Sequence, residues 1–576
     1  MIKKEEHRKR RIASAIGEYK ADLVIKNTRI LNVFTGEFEE GDVAVKNGYF
    51  VGIGDYEGEQ EVDGTGKTLV PGFIDGHLHL ESSIVTPMQY GRAVMPHGTT
   101  SIVCDPHEIA NVCGSDGIDY VLHATEDIPL DVYVMIPSCV PATPFDETGY
   151  TINSATVKEY LNKDRVLGLA EMMNYPGVVS RDAETIEKIK AAHETRKIVD
   201  GHGPGLSGRE LNAYVTAGIF SDHECVSAKE AKEKLRRGQW IMIREGTAGR
   251  NLEALMELCN EPFYHRCLFV TDDKHPGELN REGHIDSIIR KAISLGAKPE
   301  NAYIMASLNA ASYFHLASLG AICPGYRADF VILNDFVSVD IQQVYKDGSL
   351  VFDKDHTEAL TWGKEYQPKA AILNTVNISD VTAEDFVTEG PKKVIGLVEG
   401  EILTTDEGEA DHVDVTKDIL KLAVVERHHH TGHIGLCYVK GYGLKHGAVA
   451  TSIAHDSHNL ICVGENEADM AYAIMELKKM KGGMVVVEDG KVLAELALPI
   501  AGLMCDLDVE EAQNKMDQVK AAAYKLGVNP GIDPFMTMSF SSLPVIPTLR
   551  LTTLGVVDVT KFKLLALNEK VTARPY

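Results

Sequence analysis

Two histidines one residue apart are the first feature of the sequence that could do chemistry. His77 and His79 end a mostly apolar run that begins at residue 69. Side chains at positions i and i+2 of a strand point to the same face, and two imidazoles on one face can bind one divalent metal from the same side. We therefore predict a metal site at the C-terminal end of this strand. Because a His-x-His pair also occurs in polar turns, later segments must supply the remaining ligands.

Polar residues of metal-binding type follow five other candidate strands. They are Asp105, His107 and Glu108 after the second strand, Glu171 after the fourth, His202 after the fifth, His223 and Glu224 after the sixth, and Asp272 and Asp273 after the eighth. In a barrel of parallel strands, chemistry collects at the C-terminal ends of the strands. Each residue alone is explained as a helix cap or a solvated loop residue, but together they favour one shared metal site.

The number of candidate ligands favours two metal ions. The predicted ligands are His77, His79, Glu171, His202, His223 and Asp272. A single catalytic site needs about three protein ligands plus water, so this set is too large for one ion. Glu171 has two carboxylate oxygens and is predicted to bridge. Two ions about 3.5–4 Å apart can share a hydroxide, because a metal lowers the pKa of bound water from about 15.7 to about 7. Asp272 could also accept a proton as general base.

The elements that position these residues alternate in the order of a barrel. Short apolar runs between residues 71 and 320 alternate with amphipathic helices such as 182–196. We predict strands at 69–74, 100–104, 131–136, 165–170, 197–200, 218–220, 240–243 and 267–270. Eight strand–helix pairs in about 250 residues match a (β/α)₈ barrel. A doubly wound open sheet is the alternative, but no G-x-G-x-x-G follows the first strand.

Two other regions flank the predicted barrel at 71–320. Short alternating strands in residues 1–70 and again in 321–375 predict one β-sandwich domain assembled from both flanks. In residues 376–576, strands precede helices at 467–480 and 509–526, each followed by glycine. The predicted fold class is therefore α/β: a TIM-like (β/α)₈ barrel with a flanking β-sandwich domain and a C-terminal α+β domain.

Composition argues against several classes of protein. The chain has 576 residues and a net charge of −26, which disfavours nucleic acid and anionic membranes as partners. No apolar run is long enough to span a bilayer, and residues 1–11 lack the apolar core of a signal peptide. Ten cysteines without a C-x-x-C motif favour reduced thiols. We expect a cytoplasmic protein with a small-molecule substrate.

Longer motifs surround the candidate ligands. They are 71–79 (PGFIDGHLH), 80–83 (LESS), 97–100 (HGTT), 105–112 (DPHEIANV), 169–174 (LAEMMN), 200–202 (DGH), 221–224 (SDHE), 271–273 (TDD), 324–329 (PGYRAD), 432–435 (GHIG) and 455–459 (HDSHN). In these motifs the sequence resembles the amidohydrolase superfamily and, within it, the bacterial adenine deaminases. The resemblance extends over nearly the whole chain.

The resemblance implies an activity and its cofactors. The implied reaction is hydrolytic deamination of adenine to hypoxanthine and ammonia, with a metal-bridged hydroxide attacking C6, as a step of purine salvage. It implies two divalent metal ions per chain, with Mn²⁺ expected and Fe²⁺ or Zn²⁺ as alternatives, at the six ligands named above. Relatives that hydrolyse cyclic amides generally carry a carboxylated lysine where Glu171 stands, so the glutamate favours the deaminase branch.

Proton delivery and substrate binding are assigned to further residues. Glu224, Glu108 and His107 are the candidates for protonating N1 of the ring. Alternatively, they support the metal histidines through hydrogen bonds. The candidate substrate-binding residues are Ser82, Ser83, Asp273, His455 and His458.

The C-terminal region is dense in histidine, at 427–433 and at 455–458. One hypothesis is that a loop of this region closes over the barrel mouth and shapes the purine pocket. The alternative is a polar cluster at the surface or between domains.

Two other functions remain as alternatives. One is a different metal hydrolase of the same fold, such as a deacetylase or a cyclic amidase. The other is a non-catalytic scaffold, from which loss of ligands is expected, whereas all six positions are intact here. We also expect a homo-oligomer, in the simplest case a homodimer.

Overall fold

The computed structural model describes residues 2–247, 249–356 and 362–565. The chain begins with one helix and five strands: α1 (Ile2–Ala15), β1 (Ala21–Asn32), β2 (Glu37–Lys46), β3 (Tyr49–Gly54), β4 (Gly58–Asp63) and β5 (Thr68–Pro71). Among the described residues, no helix is both long enough and apolar enough to cross a lipid bilayer.

Eight parallel strands follow and form a closed ring. They are β6 (Phe73–Leu78), β7 (Thr99–Cys104), β8 (Asp131–Ile136), β9 (Val166–Met172), β10 (Ile198–Gly201), β11 (Ser221–Asp222), β12 (Trp240–Arg244) and β13 (Cys267–Val270). Ladders join β6 through β10 and β11 through β13. The Gly201 N–H donates to the Ser221 hydroxyl at 3.0 Å, and a parallel bridge between Leu78 and Asp272 closes the ring. The predicted α/β barrel is confirmed.

Helices alternate with these strands. They are α2 (Pro87–Val94), α3 (His107–Cys113), α4 (Ser115–Ala124), α5 (Ser154–Tyr160), α6 (Tyr175–Ser180), α7 (Ala183–Glu194), α8 (Gly208–Thr216), α9 (Ala228–Arg236), α10 (Leu252–Leu255), α11 (Pro276–Glu282), α12 (Ile285–Ser294), α13 (Pro299–Met305) and α14 (Leu308–Tyr313). Apolar side chains fill one buried cluster inside the ring, among them Ile74, Val103, Met135, Ala170, Met242 and Leu268. The barrel is therefore a packed core, and polar residues are left for its C-terminal rim.

After the barrel the chain returns to its first sheet. The strands β14 (Phe330–Asp335), β15 (Asp340–Lys346) and β16 (Ser349–Asp353) extend it in the order β16-β15-β14-β5-β1-β2-β3, with β4 beside β1. The join is antiparallel, with Phe330 opposite Pro71. Segments from both flanks of the barrel thus share one sheet.

Two predicted barrel strands are misplaced. Residues 69–74 span two elements, because the Gly72 N–H bonds to the Asp329 carbonyl of the flanking sheet, and the next residue, Phe73, bonds to the Gly98 carbonyl of the barrel. Residues 218–220 precede the sixth strand, β11, whose paired residues are polar and carry no hydrophobic pattern. The first error arises because an apolar run does not show which sheet a strand joins. The second arises because Phe220, although apolar, is exposed and lies outside the strand.

The C-terminal region contains a second large sheet. Its strands are β17 (Lys392–Leu397), β18 (Thr404–Ala410), β19 (Ile419–Val425), β20 (Ile434–Lys440), β21 (Ala448–Thr451), β22 (Leu460–Gly464), β23 (Gly483–Glu488) and β24 (Lys491–Ala497), and a small sheet adds β25 (Leu549–Thr552), β26 (Gly555–Asp558) and β27 (Lys563–Leu564). The helices are α15 (Ala370–Leu373), α16 (Glu467–Met480), α17 (Val509–Lys525) and α18 (Met536–Phe540). The two long helices were predicted to within one residue at either end.

Candidate active site

Glu171 lies at the centre of the predicted ligands and divides the four histidines into two pairs. Its Oε1 is 3.8 Å from His77 Nε2 and 3.4 Å from His79 Nε2. Its Oε2 is 2.6 Å from His202 Nδ1 and 3.2 Å from His223 Nε2. Burial alone would raise the pKa of Glu171, but the nearby His223 and His202 hold that pKa well below its ordinary value. One carboxylate thus presents a separate oxygen to each histidine pair, as a bridging ligand does.

The backbone around His77 and His79 is fixed by two contacts. Buried Asp75 accepts hydrogen bonds from the backbone N–H groups of His77 and Thr271, each at 3.2 Å, and so ties β6 to β13. His79 Nδ1 donates to the Asp105 carbonyl at 3.0 Å. This bond turns His79 Nε2 toward Glu171 and Asp272, in the position of a metal ligand.

Asp272 lies where the barrel closes. It follows β13 with a φ of 59°, an uncommon conformation that aspartate tolerates better than most residues. Its N–H donates to the His77 carbonyl at 3.0 Å, and its Oδ1 is 3.2 Å from His79 Nε2. Against the effect of burial, the hydrogen bond from His79 and the charge of Arg244 hold the pKa of Asp272 well below its ordinary value. The side chain is therefore a carboxylate facing the histidines.

These side chains fit a divalent metal centre. Overlapping groups of ligand atoms lie within 4.8 Å of one another, including His77–His79–Asp272 and His77–Glu171–His223. His77 Nε2 is buried and has no hydrogen-bond partner among the described residues. A buried nitrogen without a partner is costly, and a metal ion would satisfy it.

Glu108 lies between the barrel and the C-terminal region. Its Oε1 is 2.7 Å from His455 Nδ1 and 3.5 Å from His107 Nε2, and its Oε2 contacts His458 Nε2. Burial lowers the pKa of His458 to about 4. Burial also disfavours the charged form of His455, but Glu108 raises its pKa to about 9. The structure therefore brings four predicted site residues, two from the barrel and two from the C-terminal region, into one cluster.

The histidines of residues 428–433 have a different environment. His429 Nε2 is 2.8 Å from the Thr148 carbonyl, and His433 Nδ1 is 2.9 Å from Glu147 Oε1. His428 Nε2 is 2.8 Å from the Ser457 carbonyl. None of these histidines is among the described residues that line the central cavity. Their contacts support the interpretation as a polar cluster between domains, whereas residues 455–458 reach the barrel mouth.

The remaining predicted substrate-binding residues differ in position. The Ser82 hydroxyl donates to Asp273, which lines the cavity beside Asp272. The Ser83 hydroxyl instead donates to the Leu80 carbonyl at 2.6 Å, and Ser83 is not among the described residues that line the cavity. Ser82 thus reaches the site through Asp273, and Ser83 faces away from it.

Arg244, at the end of β12, is a site residue that the sequence did not reveal. Its guanidinium contacts Glu224 through two nitrogens and Asp272 Oδ2 at 2.9 Å. The available signal was a charged residue ending the apolar run 240–243. Arginine is not a metal ligand, so this signal does not by itself indicate a site residue.

The cavity above the ligands has an apolar roof. The roof consists of Ile402, Phe540, Leu543 and Ile546, all from the C-terminal region. A neighbouring cavity of about 590 Å³ shares Ile402 and Phe540 but contains none of the predicted ligands. The first cavity, which most of the predicted ligands line, is therefore the candidate active site.

The barrel and its ligand set define a hydrolase with a divalent metal site. The amidohydrolase family model matches residues 68–351, and the model of the adenine deaminase C-terminal domain matches residues 398–563. The chain is 46% identical to an adenine deaminase of Dehalococcoides mccartyi over 565 residues, and 44% identical to adenine deaminase 2 of Carboxydothermus hydrogenoformans over 564 residues. Each match covers 96% of this chain and 98% of the relative. The chain belongs to the adenine deaminase family of the amidohydrolases.

Proposed function

We propose that this protein hydrolyses adenine to hypoxanthine and ammonia. The observation that carries the proposal is the position of Glu171, with one oxygen toward His77 and His79 and the other toward His202 and His223. The names of the near-full-length relatives supply adenine as the substrate.

Two divalent ions are part of the proposal, with Mn²⁺ as the expected metal and Fe²⁺ or Zn²⁺ as alternatives. The proposed ligands are His77, His79, Glu171, His202, His223 and Asp272. When bound, such ions supply Lewis acidity and lower the pKa of a water molecule to about 7.

Different side chains around this centre carry out the separate proton transfers. Water adds to C6 of adenine, and its proton passes to Asp272, whose Oδ1 lies toward the histidines. N1 gains a proton from one of the three candidates His107, Glu108 and Glu224. Asp272 then passes its proton to N6, the C6–N6 bond breaks and ammonia leaves. The C6 hydroxyl returns a proton to the group that protonated N1, and hypoxanthine remains.

The C-terminal region is proposed to complete the active site, because His455 and His458 each bond one carboxylate oxygen of Glu108, a residue that also faces His107. We expect His458→Ala to lower kcat for adenine roughly 10–100-fold, since supporting partners of catalytic groups typically contribute this much. Steady-state ammonia release measures it. The matched control is His430→Ala, which removes an exposed histidine bonded to Ser379 and should stay within about twofold of wild type. Unchanged turnover and adenine affinity in both His458→Ala and His455→Ala would refute the role of this segment.

The apolar roof is proposed to cover one face of the purine. Phe540 stacks on His455 at 4.5 Å between ring centroids and borders the cavity. Stacking of a base on an aromatic side chain contributes about 1–3 kcal/mol, so Phe540→Ala should raise KM for adenine roughly 5–100-fold and change kcat much less. Phe562→Ala, at an exposed phenylalanine, serves as control. An unaltered KM in Phe540→Ala would place the purine elsewhere.

Ammonia release from a panel of compounds tests the proposed function. The manganese-loaded enzyme should release ammonia from adenine, and it should hydrolyse neither acetylated amines nor cyclic amides. Hydrolysis of one of those amides without ammonia from adenine would instead support a deacetylase or a cyclic amidase.

The proposal keeps the domain division at 1–70 with 321–375, 71–320 and 376–576. Strand β5 precedes the barrel in the sequence and β14 follows it. The two strands pair with each other, which supports the first unit. Residues 357–361 and 566–576 lie outside the described residues. The β-sandwich form of the flanking domain and the α+β form of the C-terminal domain, cytoplasmic location, a homodimer and a place in purine salvage stay predictions.

A further inference from the structure

Arg244 is a buried cation set between two carboxylates of the candidate active site. Its side chain is 8% exposed. Nη1 donates to Asp272 Oδ2 at 2.9 Å and also contacts Glu224 Oε1, while Nη2 donates to Glu224 Oε2 at 3.1 Å. The planar guanidinium is therefore bidentate toward Glu224 and joins it to Asp272. A lysine ammonium cannot reproduce this fork, because it is a point charge with rotating donors.

The contact with Arg244 distinguishes the two oxygens of Asp272. Oδ2 is occupied by the guanidinium, whereas Oδ1 faces His79 Nε2 at 3.2 Å and His77 Nε2 at 3.8 Å. Without Arg244 the carboxylate could rotate and exchange its oxygens. The arginine therefore fixes which oxygen of Asp272 is turned toward the histidines.

The loop that follows β12 holds the guanidinium in place. Asn251 Oδ1 accepts a hydrogen bond from Arg244 Nε at 2.8 Å, and the Asn251 N–H donates to the Arg244 carbonyl at 3.0 Å. A Cβ atom at Gly249 would lie 2.4 Å from Arg244 Nε, so a side chain there would displace the guanidinium. Gly249 thus leaves room for the guanidinium in its observed orientation.

From this geometry we infer that Arg244 is a positioning residue, which orients Asp272 and Glu224 for proton transfer and metal binding and does not itself contact the reacting atoms. The inference rests on the proposed function for the identity of the reaction. It assigns a role to the seventh barrel strand, whose end contributes none of the predicted metal ligands.

The variants Arg244→Lys and Arg244→Ala test the inference. We expect kcat for adenine to fall roughly 10–100-fold in Arg244→Lys, as for other partners of metal ligands, with KM changed less than about threefold. The apparent affinity for Mn²⁺, measured by equilibrium dialysis, should fall by a similar factor. Guanidinium ion added at millimolar concentration should restore part of the activity of Arg244→Ala. Asn251→Ala should also lower kcat and the apparent affinity for Mn²⁺, each by a smaller factor.

Arg327→Lys is the matched control. Arg327 also bridges two carboxylates, with Nη1 2.7 Å from Asp131 Oδ2 and Nε 2.7 Å from Asp347 Oδ1, but it lies between the flanking sheet and the barrel. This variant should keep wild-type kcat, KM and Mn²⁺ affinity.

Three outcomes are decisive. Wild-type kcat and Mn²⁺ affinity in Arg244→Lys would overturn the inference. A raised KM with unchanged kcat would also overturn it, because Arg244 would then bind substrate. If the wild-type enzyme releases no ammonia from adenine, the proposed function fails, while the difference in Mn²⁺ affinity still tests whether Arg244 positions Asp272.

Discussion

Replacing Glu171 by glutamine should remove nearly all deamination of adenine. The glutamine has nearly the same size, but its amide nitrogen cannot bind a metal, so one of the two histidine pairs loses its shared oxygen. Even residues that only support a metal ligand contribute about 10–100-fold, so loss of the ligand itself should lower kcat/KM by more than about 100-fold. Metal analysis of the purified variant should find about one ion fewer per chain than in wild type.

A control separates this effect from a general effect of losing a buried carboxylate. Glu476→Gln alters a largely buried glutamate of α16 that pairs with Lys479, and it should retain wild-type metal content and activity. If Glu171→Gln keeps full metal loading and near-normal turnover, the bridging role is wrong.

Replacing Asp272 by asparagine should have the second-largest effect. The asparagine can still accept a hydrogen bond from Arg244, but it can neither take up the proton of the attacking water nor offer a charged oxygen to His79. General bases contribute about 10²–10⁴-fold to the rate, so kcat should fall within this range. A kcat measurement at saturating adenine and saturating Mn²⁺ separates loss of the base from weakened metal binding.

Asp273→Asn provides the matched comparison one residue away. Asp273 is also buried and contacts Ser82. Among the described residues, Asp273 forms no ion pair with a predicted metal ligand. Its substitution should cost roughly tenfold at most. A larger loss of kcat in Asp273→Asn than in Asp272→Asn would transfer the role of base to Asp273.

Much of the barrel and of the proposed metal site was accessible from the sequence, because parallel strands place their C-terminal residues on one rim. His77 and Glu171 lie in β6 and β9, and Asp272 follows the end of β13 by two residues. The ends of these strands are enough to predict that the three residues meet. Which histidines face which oxygen of Glu171 depends on side-chain positions, and the sequence does not give these.

The individual contacts between the barrel and the C-terminal region could not be predicted, although a C-terminal loop over the barrel mouth was one of two hypotheses. Glu108 and His458 are 350 positions apart in the chain, and no periodicity links them. The roof residue Phe540 belongs to a short helix whose apolar pattern is also explained by burial in its own domain. Arg244 acts on carboxylates and is not a metal ligand, so nothing in the sequence pattern of ligands indicates it.

A titration of metal-free protein with Mn²⁺ tests the central claim most directly. Ammonia and hypoxanthine formed from adenine are measured at each ratio of metal to chain. The account predicts equal amounts of both products and a rate that rises until about two ions are added per chain. A plateau at one ion per chain, or no ammonia from adenine at any ratio, would contradict it.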